Sequence, residues 1–280
     1  MTTSSASNIT TPEQYYVSGP TPFFASQADQ RFSYAMYVPK PRPDGSKYRL
    51  AVIVHGTGRS ASKYRDLMAD FCEEHGVVAL CPLFPAGIGD PDDLHNYKFI
   101  DYNGIRFDHL VFSMIEEAAQ RVPIYTDKFM LHGFSGGGQF TQRMLLMYPE
   151  RLIAASVGAA GRYTLLDNET DWWLGTKDLE ERFGVKADAE KIKEVAVHLV
   201  VGENDVDTWE TMDKNGSNWV DGLEKQGTTR RERIEYFKQN LAEHGIEAQL
   251  DTMPGTAHDG AKAIPYATDF FSSVLRSRKA

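Results

Sequence analysis

The sequence has few cysteines, no long apolar run and no excess of basic charge. Its 280 residues include two cysteines, Cys72 and Cys81, which are too few for a disulfide framework or a cysteine-rich metal site. No apolar stretch approaches the roughly 20 residues that span a bilayer. The first residues, MTTSSASNITTPEQYY, lack the basic and apolar segments of a signal peptide. We therefore expect a cytoplasmic protein. A secreted chain trimmed of its leader would look the same.

The formal net charge of −9 argues against a protein that binds nucleic acid through its phosphates. The hydrophobic fraction of 41% and the charged fraction of 25% are ordinary for a globular chain. We find no internal repeat and no linker-like stretch, and we therefore expect a single domain over residues 1–280.

Apolar runs that predict buried strands alternate with amphipathic segments that predict helices. The strands are expected at 31–39, 49–56, 77–85, 127–133, 151–161, 195–205 and 246–255, and the helices at 60–76, 107–122, 137–149, 229–245 and 266–278. This alternation predicts an α/β protein with a mostly parallel sheet and helices on both faces. Residues 162–194 interrupt it, and we expect a short helical, cap-like excursion there, over the carboxyl edge of the sheet.

The first expected helix, 60–76, should bury Leu67, Met68, Phe71 and Cys72 on one side and should end at Gly76. Residues 86–105 are rich in Gly, Asp, Asn and Tyr and are expected to form a long loop.

The segment GFSGG places Ser135 between a predicted strand and a predicted helix. This context is the one that the G-x-S-x-G pattern needs to form a sharp turn with an exposed nucleophile. Such a turn leaves no room for side chains two residues before and two residues after the serine, and Gly133 and Gly137 occupy these positions. A phosphate-binding loop would want Lys and Ser or Thr after the glycines, and Gln139 and Phe140 follow instead. We therefore interpret Ser135 as a nucleophile. Gly138 has no role in this turn, and we expect it to allow close packing of the helix start.

A serine nucleophile needs a general base, and His258 is the best placed of eight histidines. It lies in PGTAHDG, after the last predicted strand and before the last predicted helix. The other histidines fall into three groups: His55, His132 and His198 are expected to be structural, His75 and His244 to lie at solvated helix ends, and His95 and His109 to border the long loop, where they could line the crevice.

The base in turn needs a carboxylate that orients it. The segment VVGENDVDT offers Asp205, three residues past the glycine that ends a strand, with Asp207 as the runner-up. The remaining acid of this segment, Glu203, is interpreted as solvated. The chain order Ser135, Asp205, His258 is the α/β-hydrolase order.

An acyl-transfer site also needs N–H donors for the oxyanion of the tetrahedral intermediate. The N–H of Gly136, directly after the nucleophile, is one expected donor. The second should come from the loop after an earlier strand, VIVHGTGRSA. We expect the N–H of Thr57 to fill this role, with Gly58 as the alternative.

Four motifs, HGTG, GFSGG, GEND and GTAHDG, resemble the α/β-hydrolase superfamily in identity and order. Within it, VIVHGTGRSASKY, the small excursion and PGTAHDG resemble the branch of polyhydroxybutyrate depolymerases and feruloyl esterases. The resemblance implies an α/β-hydrolase fold over roughly residues 30–278. It also implies nucleophile, acid and base roles for Ser135, Asp205 or Asp207, and His258.

These features predict a serine hydrolase that cleaves a carboxylic ester. The alternatives are a peptidase or amidase with the same triad, a receptor-like binding protein with slow turnover, and a C–C bond hydrolase or haloperoxidase. A peptidase commonly adds a propeller or a large cap, for which 280 residues leave no room. A haloalkane dehalogenase is disfavoured because its nucleophile would be an aspartate.

The substrate is expected to be a small-molecule or oligomeric ester, with no metal, no organic cofactor, no nucleic acid and no membrane partner. Trp173, its neighbour Trp172 and Trp209 could line the substrate pocket or could simply pack the surrounding loops. The pattern leaves the oligomeric state open, and a homodimer is compatible with it.

Overall fold

The computed structural model of the chain describes residues 18–42, 44–208, 214 and 219–278. Its strands are β1 (Gly19–Pro20), β2 (Phe24–Ala25), β3 (Ser33–Val38), β4 (Arg49–Val54), β5 (Val77–Leu83), β6 (Asp101–Tyr102), β7 (Ile105–Arg106), β8 (Phe129–Phe134), β9 (Leu152–Gly158), β10 (Ala196–Gly202) and β11 (Ala248–Met253). Its α-helices are α1 (Ala61–Leu67), α2 (Ala69–His75), α3 (Phe107–Ala119), α4 (Gly136–Met147), α5 (Leu179–Phe183), α6 (Ala189–Ile192), α7 (Arg230–Glu243) and α8 (Gly260–Ser277).

The main sheet runs in the order β1-β3-β5-β4-β8-β9-β10-β11, with β2 paired to β3. Strands β5, β4, β8, β9, β10 and β11 are mutually parallel, and β3 is antiparallel to β5. The mostly parallel sheet that the sequence predicts is therefore confirmed. Since β8 lies near the middle of the sheet, the turn that follows it opens at the centre of the carboxyl edge.

Helices cover both faces of this sheet, and each face has its own apolar core. Successive residues of β4 point to opposite sides: Val52 belongs to the core under α3, α4 and α7, and Ile53 belongs to the core under α1, α2 and α8. The central strands are buried on both faces, which explains why they read as continuous apolar runs in the sequence.

Three details differ from the expected elements. The helix expected at 60–76 is two helices separated by Met68, and Leu67 is 43% exposed instead of buried, because the break turns it outward. The last helix begins at Gly260 and not at residue 266. The side chain of Asp259 accepts hydrogen bonds from two N–H groups of its first turn, which offsets the poor helix propensity of Gly260 and Pro265.

The third difference lies in the loop expected at 86–105. It contains a 3₁₀ helix (Asn96–Phe99) and the short β6–β7 hairpin. The excursion at 162–194 carries α5 and α6, as expected, together with irregular turns. None of the helices within the described ranges combines the length and apolarity that crossing a membrane requires. The cytoplasmic location stays a prediction.

A polar row crosses the sheet below the carboxyl edge. The ring of His132 contacts Ser156, whose Oγ lies 2.8 Å from His198 Nδ1, and His198 Nε2 lies 3.1 Å from Asp251 Oδ2. Both histidines are fully buried. Burial lowers the pKa of His132 to about 3 and also lowers the pKa of His198. These two histidines are part of the core, as the sequence predicts.

His75, expected at a solvated helix end, is instead only 10% exposed in its side chain. Its Nε2 lies 2.8 Å from Ser272 Oγ, since α8 packs against α2 at this point.

Candidate active site

Ser135 occupies a strained turn between β8 and α4. Its φ is +58° and its ψ is −115°, a backbone conformation that non-glycine residues rarely adopt. The turn is fixed at both sides, because the Ser135 N–H donates to Gly158 O at 2.8 Å and its carbonyl accepts from Gln139 N–H at 3.0 Å. The side chain of Ser135 faces a cleft at the carboxyl edge of the sheet.

The glycines around Ser135 are required by close backbone contacts. A Cβ on Gly133 would overlap the carbonyl of Gly137, and a Cβ on Gly137 would overlap the carbonyl of Val54. A Cβ on Gly138 would overlap the carbonyl of Gly158 on β9. The close packing expected for Gly138 is therefore present.

Gly136, one of the two expected oxyanion donors, lies close to the other, Thr57. A Cβ at this position would lie 3.3 Å from Thr57 N, 2.6 Å from Tyr97 Oη and 2.8 Å from Lys98 Cε. The backbone N–H of Thr57 thus lies close to the start of α4, and its role as an oxyanion donor stays a prediction. Thr57 and Gly58 both line the cleft.

Three side chains hold the HGTG loop that carries Thr57. His55 is buried, with Nδ1 2.8 Å from Gly56 O and Nε2 accepting the Phe84 N–H at 3.0 Å. Burial lowers the pKa of His55 to about 4, so the ring stays neutral. Tyr97 Oη donates to His55 O at 2.8 Å, and Arg59 Nη1 donates to Thr57 O at 2.6 Å.

The structure brings Asp205 and His258 into direct contact. Asp205 follows β10, is 1% exposed, and places Oδ2 2.6 Å from His258 Nδ1. Asn204 N–H donates to Thr256 O at 2.8 Å, which ties the loops that carry the two residues. Asp207 is exposed. The geometry favours Asp205 over the runner-up.

Arg230 is a part of the site that sequence reasoning missed. It begins α7, is 2% exposed, and its Nη1 donates to Asp205 Oδ1 at 3.1 Å. Asp205 therefore uses one carboxylate oxygen for His258 and the other for a guanidinium. The capping box TRRE marks the start of a helix in the sequence, but no local signal indicates which residue that arginine would contact.

A cleft of about 380 Å³ contains both Ser135 and His258. Its other walls come from the HGTG loop, from α1, and from the loop before the 3₁₀ helix, with Thr57, Tyr64, Leu94 and His95 among the lining residues. The Phe134 ring lies 4.8 Å from the His258 ring, centroid to centroid, and limits how far that ring can turn. His95 borders this crevice as expected. His109 is 62% exposed in its side chain and is not among the described lining residues.

The tryptophans expected near the substrate have other surroundings. Trp173 packs 5.4 Å from Phe99 and 5.5 Å from the Arg143 guanidinium, and it is not among the described residues that line the cleft. Trp172 packs 4.9 Å from Phe183 of α5. Trp209 lies outside the described residues. In the structure, Trp173 and Trp172 thus pack the excursion at 162–194.

Comparisons with known proteins agree with this architecture. The chain has the α/β-hydrolase fold, with the serine turn after β8 and the acid and histidine after β10 and β11. It superimposes on the poly(aspartic acid) hydrolase-1 of Sphingomonas sp. KT-1 with a TM-score of 0.69 and 22% identity, covering 90% of this chain and 97% of that chain. A poly(3-hydroxybutyrate) depolymerase from Bordetella parapertussis gives a TM-score of 0.65 and 19% identity, covering 88% of this chain and 87% of that one.

Sequence comparison gives a shorter match. The chain is 26% identical over 143 residues to a probable acetylxylan esterase A from Neosartorya fischeri, which covers 49% of this chain. The matched part is 39% of that relative's own length. No protein-family profile matches the chain.

Across the described ranges, no group of three or more His, Cys, Asp or Glu side chains is placed to bind a metal ion. Both cysteines are free and buried, and burial raises the pKa of each thiol.

Proposed function

We propose that this protein is a serine hydrolase that cleaves a carboxylic ester through an acyl-enzyme on Ser135. The observation that carries the proposal is the 2.6 Å contact between the buried Asp205 carboxylate and His258 Nδ1, in a cleft shared with Ser135. This contact places the His258 proton on Nδ1 and leaves Nε2 as the base. The acetylxylan esterase match and the poly(3-hydroxybutyrate) depolymerase fold match support an ester as substrate.

The proposed reaction has two half-reactions. The Ser135 hydroxyl attacks the ester carbonyl carbon while its proton moves to His258 Nε2, and the N–H groups of Thr57 and Gly136 stabilise the oxyanion. The C–O bond to the alcohol then breaks, and the alcohol leaves with the proton from His258. Water attacks the acyl carbon while its proton moves to His258 Nε2. The bond between that carbon and Ser135 Oγ then breaks, Ser135 takes the proton back from His258, and the carboxylic acid leaves. Asp205 holds the tautomer and stabilises the imidazolium.

The size of the cleft is compatible with a small substrate or with part of a larger one. A cleft of about 380 Å³ suits a small acyl group or one unit of an oligomer. We therefore propose a small-molecule or oligomeric ester. The poly(aspartic acid) hydrolase among the matching structures makes amide cleavage the second candidate.

Labelling with a fluorophosphonate, followed by mass mapping of peptides, tests the nucleophile. We expect the label on the peptide that contains Ser135 and no label on the Ser135→Ala variant. Absence of label on folded wild-type protein would rule out Ser135 as the nucleophile. Turnover of 4-nitrophenyl butanoate should be compared with that of the matching 4-nitroanilide. A larger kcat/KM for the anilide would favour the amidase, and labelling without turnover of either would favour a receptor-like protein.

A further inference from the structure

Tyr64 forms part of the wall of the cleft that contains Ser135 and His258. It lies on α1 and is 6% exposed, and its ring packs in the core under α1, α2 and α8. Within the described parts of the chain, no hydrogen bond joins its Oη to another group. Since a buried tyrosine hydroxyl usually has a partner, this one is open to a group that enters the cleft.

The hydroxyl of Tyr64 occupies space that Gly260 leaves empty. A Cβ on Gly260 would overlap Tyr64 Oη and would lie 3.1 Å from Tyr64 Cζ. Gly260 is the first residue of α8, although glycine is a poor helix former. A ring without the hydroxyl would fill the core equally well and would remove the closest of these contacts. The glycine therefore accommodates the polar end of the tyrosine.

The Tyr64 hydroxyl stays protonated and can donate a hydrogen bond. Burial raises the pKa of Tyr64 to about 12, and the nearby charge of Asp259 adds to the shift. The Asp259 carboxylate itself accepts from the N–H groups of Ala261 and Lys262 in the first turn of α8. Tyr64 thus presents a neutral O–H donor to the cleft near neutral pH.

The contacts of Gly260 place this hydroxyl on the His258 side of the cleft. Gly260 is the second residue after His258, and a Cβ on it would lie 3.0 Å from Phe134 Cδ1. The Phe134 ring in turn lies 4.8 Å from the His258 ring, centroid to centroid. In the proposed reaction, His258 Nε2 gives its proton to the oxygen of the departing alcohol. The alcohol part of the ester therefore lies on the side of the cleft that carries Tyr64.

We propose that the Tyr64 hydroxyl binds an oxygen acceptor in the alcohol part of the ester substrate. This inference rests on the proposed function and narrows its substrate class to esters whose alcohol carries a second oxygen. A hydrogen bond between uncharged partners should favour such an ester about three- to tenfold in kcat/KM over an ester that lacks the acceptor.

Two matched pairs of esters test the site on each side of the scissile bond. On the alcohol side, 2-methoxyethyl butanoate is compared with butyl butanoate. On the acyl side, butyl 3-methoxypropanoate is compared with butyl pentanoate. Each pair differs only by an ether oxygen in place of a methylene group, and an ether oxygen can accept a hydrogen bond but cannot donate one. The release of acid, followed by titration at constant pH, gives kcat/KM for each ester.

The readout is the ratio of the two kcat/KM values of a pair in the wild type, divided by the same ratio in Tyr64→Phe. This quotient cancels the intrinsic reactivity of the esters and any general loss of activity. We expect a quotient of about three to ten for the alcohol pair and about one for the acyl pair. Tyr125→Phe is the matched control, because it removes a hydroxyl from an exposed tyrosine on the segment before β8 and should leave both ratios at their wild-type values.

Gly260→Ala tests the same hydroxyl from the other side of the contact. Its methyl group would overlap Tyr64 Oη, so the alcohol-pair ratio should fall towards that of Tyr64→Phe. Added to Tyr64→Phe, the substitution should not change the ratio further. Circular dichroism establishes that each variant is folded, and Tyr64→Phe decides alone if Gly260→Ala does not fold.

The outcomes separate this inference from the proposed function. Hydrolysis of 4-nitrophenyl butanoate shows whether the protein is an esterase. If it is, a quotient near one for the alcohol pair overturns the role of Tyr64 alone, and so does a Tyr64-dependent preference that occurs only in the acyl pair. Failure to turn over any ester contradicts the proposed function and overturns this inference with it.

Discussion

At the scale of the residue, the two contacts of Asp205 decide how the candidate site works. One oxygen meets His258 and the other meets Arg230; Asp205 and Arg230 are buried, whereas His258 is partly exposed in the cleft. The neighbouring acid Asp207 has the same chemistry but is exposed. Position, not residue type, separates the two carboxylates.

Replacing each acid by asparagine tests this assignment. We expect Asp205→Asn to lower kcat on 4-nitrophenyl butanoate by about 10³- to 10⁴-fold, because the amide can no longer hold the reactive tautomer or stabilise the imidazolium. Asp207→Asn should stay within about threefold of wild type. The assignment is wrong if the larger loss occurs in Asp207→Asn.

Arg230 is expected to act through Asp205 as a positioning residue. Arg230→Leu removes one partner of the buried Asp205 carboxylate, which should destabilise the fold by about 1.5–3 kcal/mol. Because Asp205 is then held less firmly, kcat should fall by up to about 100-fold. Arg230→Lys should restore part of the activity.

Arg231→Leu provides the matched control for this prediction. Arg231 is the next residue of α7, is exposed, and donates to Glu203 O at 2.8 Å. An equal loss in Arg231→Leu, or no recovery of kcat in Arg230→Lys, would contradict the positioning role.

At the scale of the element, the start of α4 shows why the chain accepts residues that are poor helix formers. Gly137 and Gly138 lie against the carbonyls of Val54 on β4 and Gly158 on β9. Each glycine costs about 1 kcal/mol of helix propensity. The absence of a side chain, however, lets the start of the helix pack directly against the sheet.

Gly138→Ala separates helix propensity from packing. Propensity alone would stabilise the variant by about 1 kcal/mol. We expect destabilisation of about 1–3 kcal/mol instead, because the new methyl group would overlap Gly158 O in a region that cannot relax. Urea unfolding measures the difference. Gly58→Ala is the control, since its Cβ would meet only Ser60 Oγ at 3.8 Å and should cost little. A Gly138→Ala variant as stable as wild type would contradict the packing argument.

The elements that could be predicted are those with local signals. Buried strands read as apolar runs, and the turn around Ser135 reads as glycines between a strand and a helix. The start of α8 was missed because Gly260 and Pro265 suggest a break in the helix. The hydrogen bonds that Asp259 accepts from the first turn form only in the folded backbone, so the sequence does not reveal them. Arg230 could not be predicted, because its contact with Asp205 joins segments that only the tertiary fold brings together.

At the scale of the whole molecule, stability should depend on buried neutral histidines. The pKa values of His55 and His132 fall to about 4 and about 3 in the folded state, against about 6.5 in an unfolded chain. Below pH 6.5 the unfolded chain binds protons that the folded chain does not, so the free energy of unfolding decreases as the pH falls. Between pH 7.5 and pH 5 the loss should be about 2 kcal/mol for each histidine.

Urea unfolding at several pH values between 5 and 7.5 measures this dependence. His132→Gln should remove the contribution of one buried histidine from the pH dependence of the free energy of unfolding. His109→Gln, at an exposed position, should leave that dependence unchanged. Stability that stays constant down to pH 5 would contradict the argument.

The bond from Ser135 N–H to Gly158 O has a further consequence at this scale. Gly158 ends β9, and the next residue, Ala159, donates its N–H to Val200 O on β10. Main-chain hydrogen bonds thus tie the nucleophile to the end of β9, and the residue after β9 to β10. Catalytic activity should then serve as a reporter of global folding. During heating or denaturant titration, inactivation and the loss of sheet signal should follow one transition curve, without an earlier step in which the site alone melts.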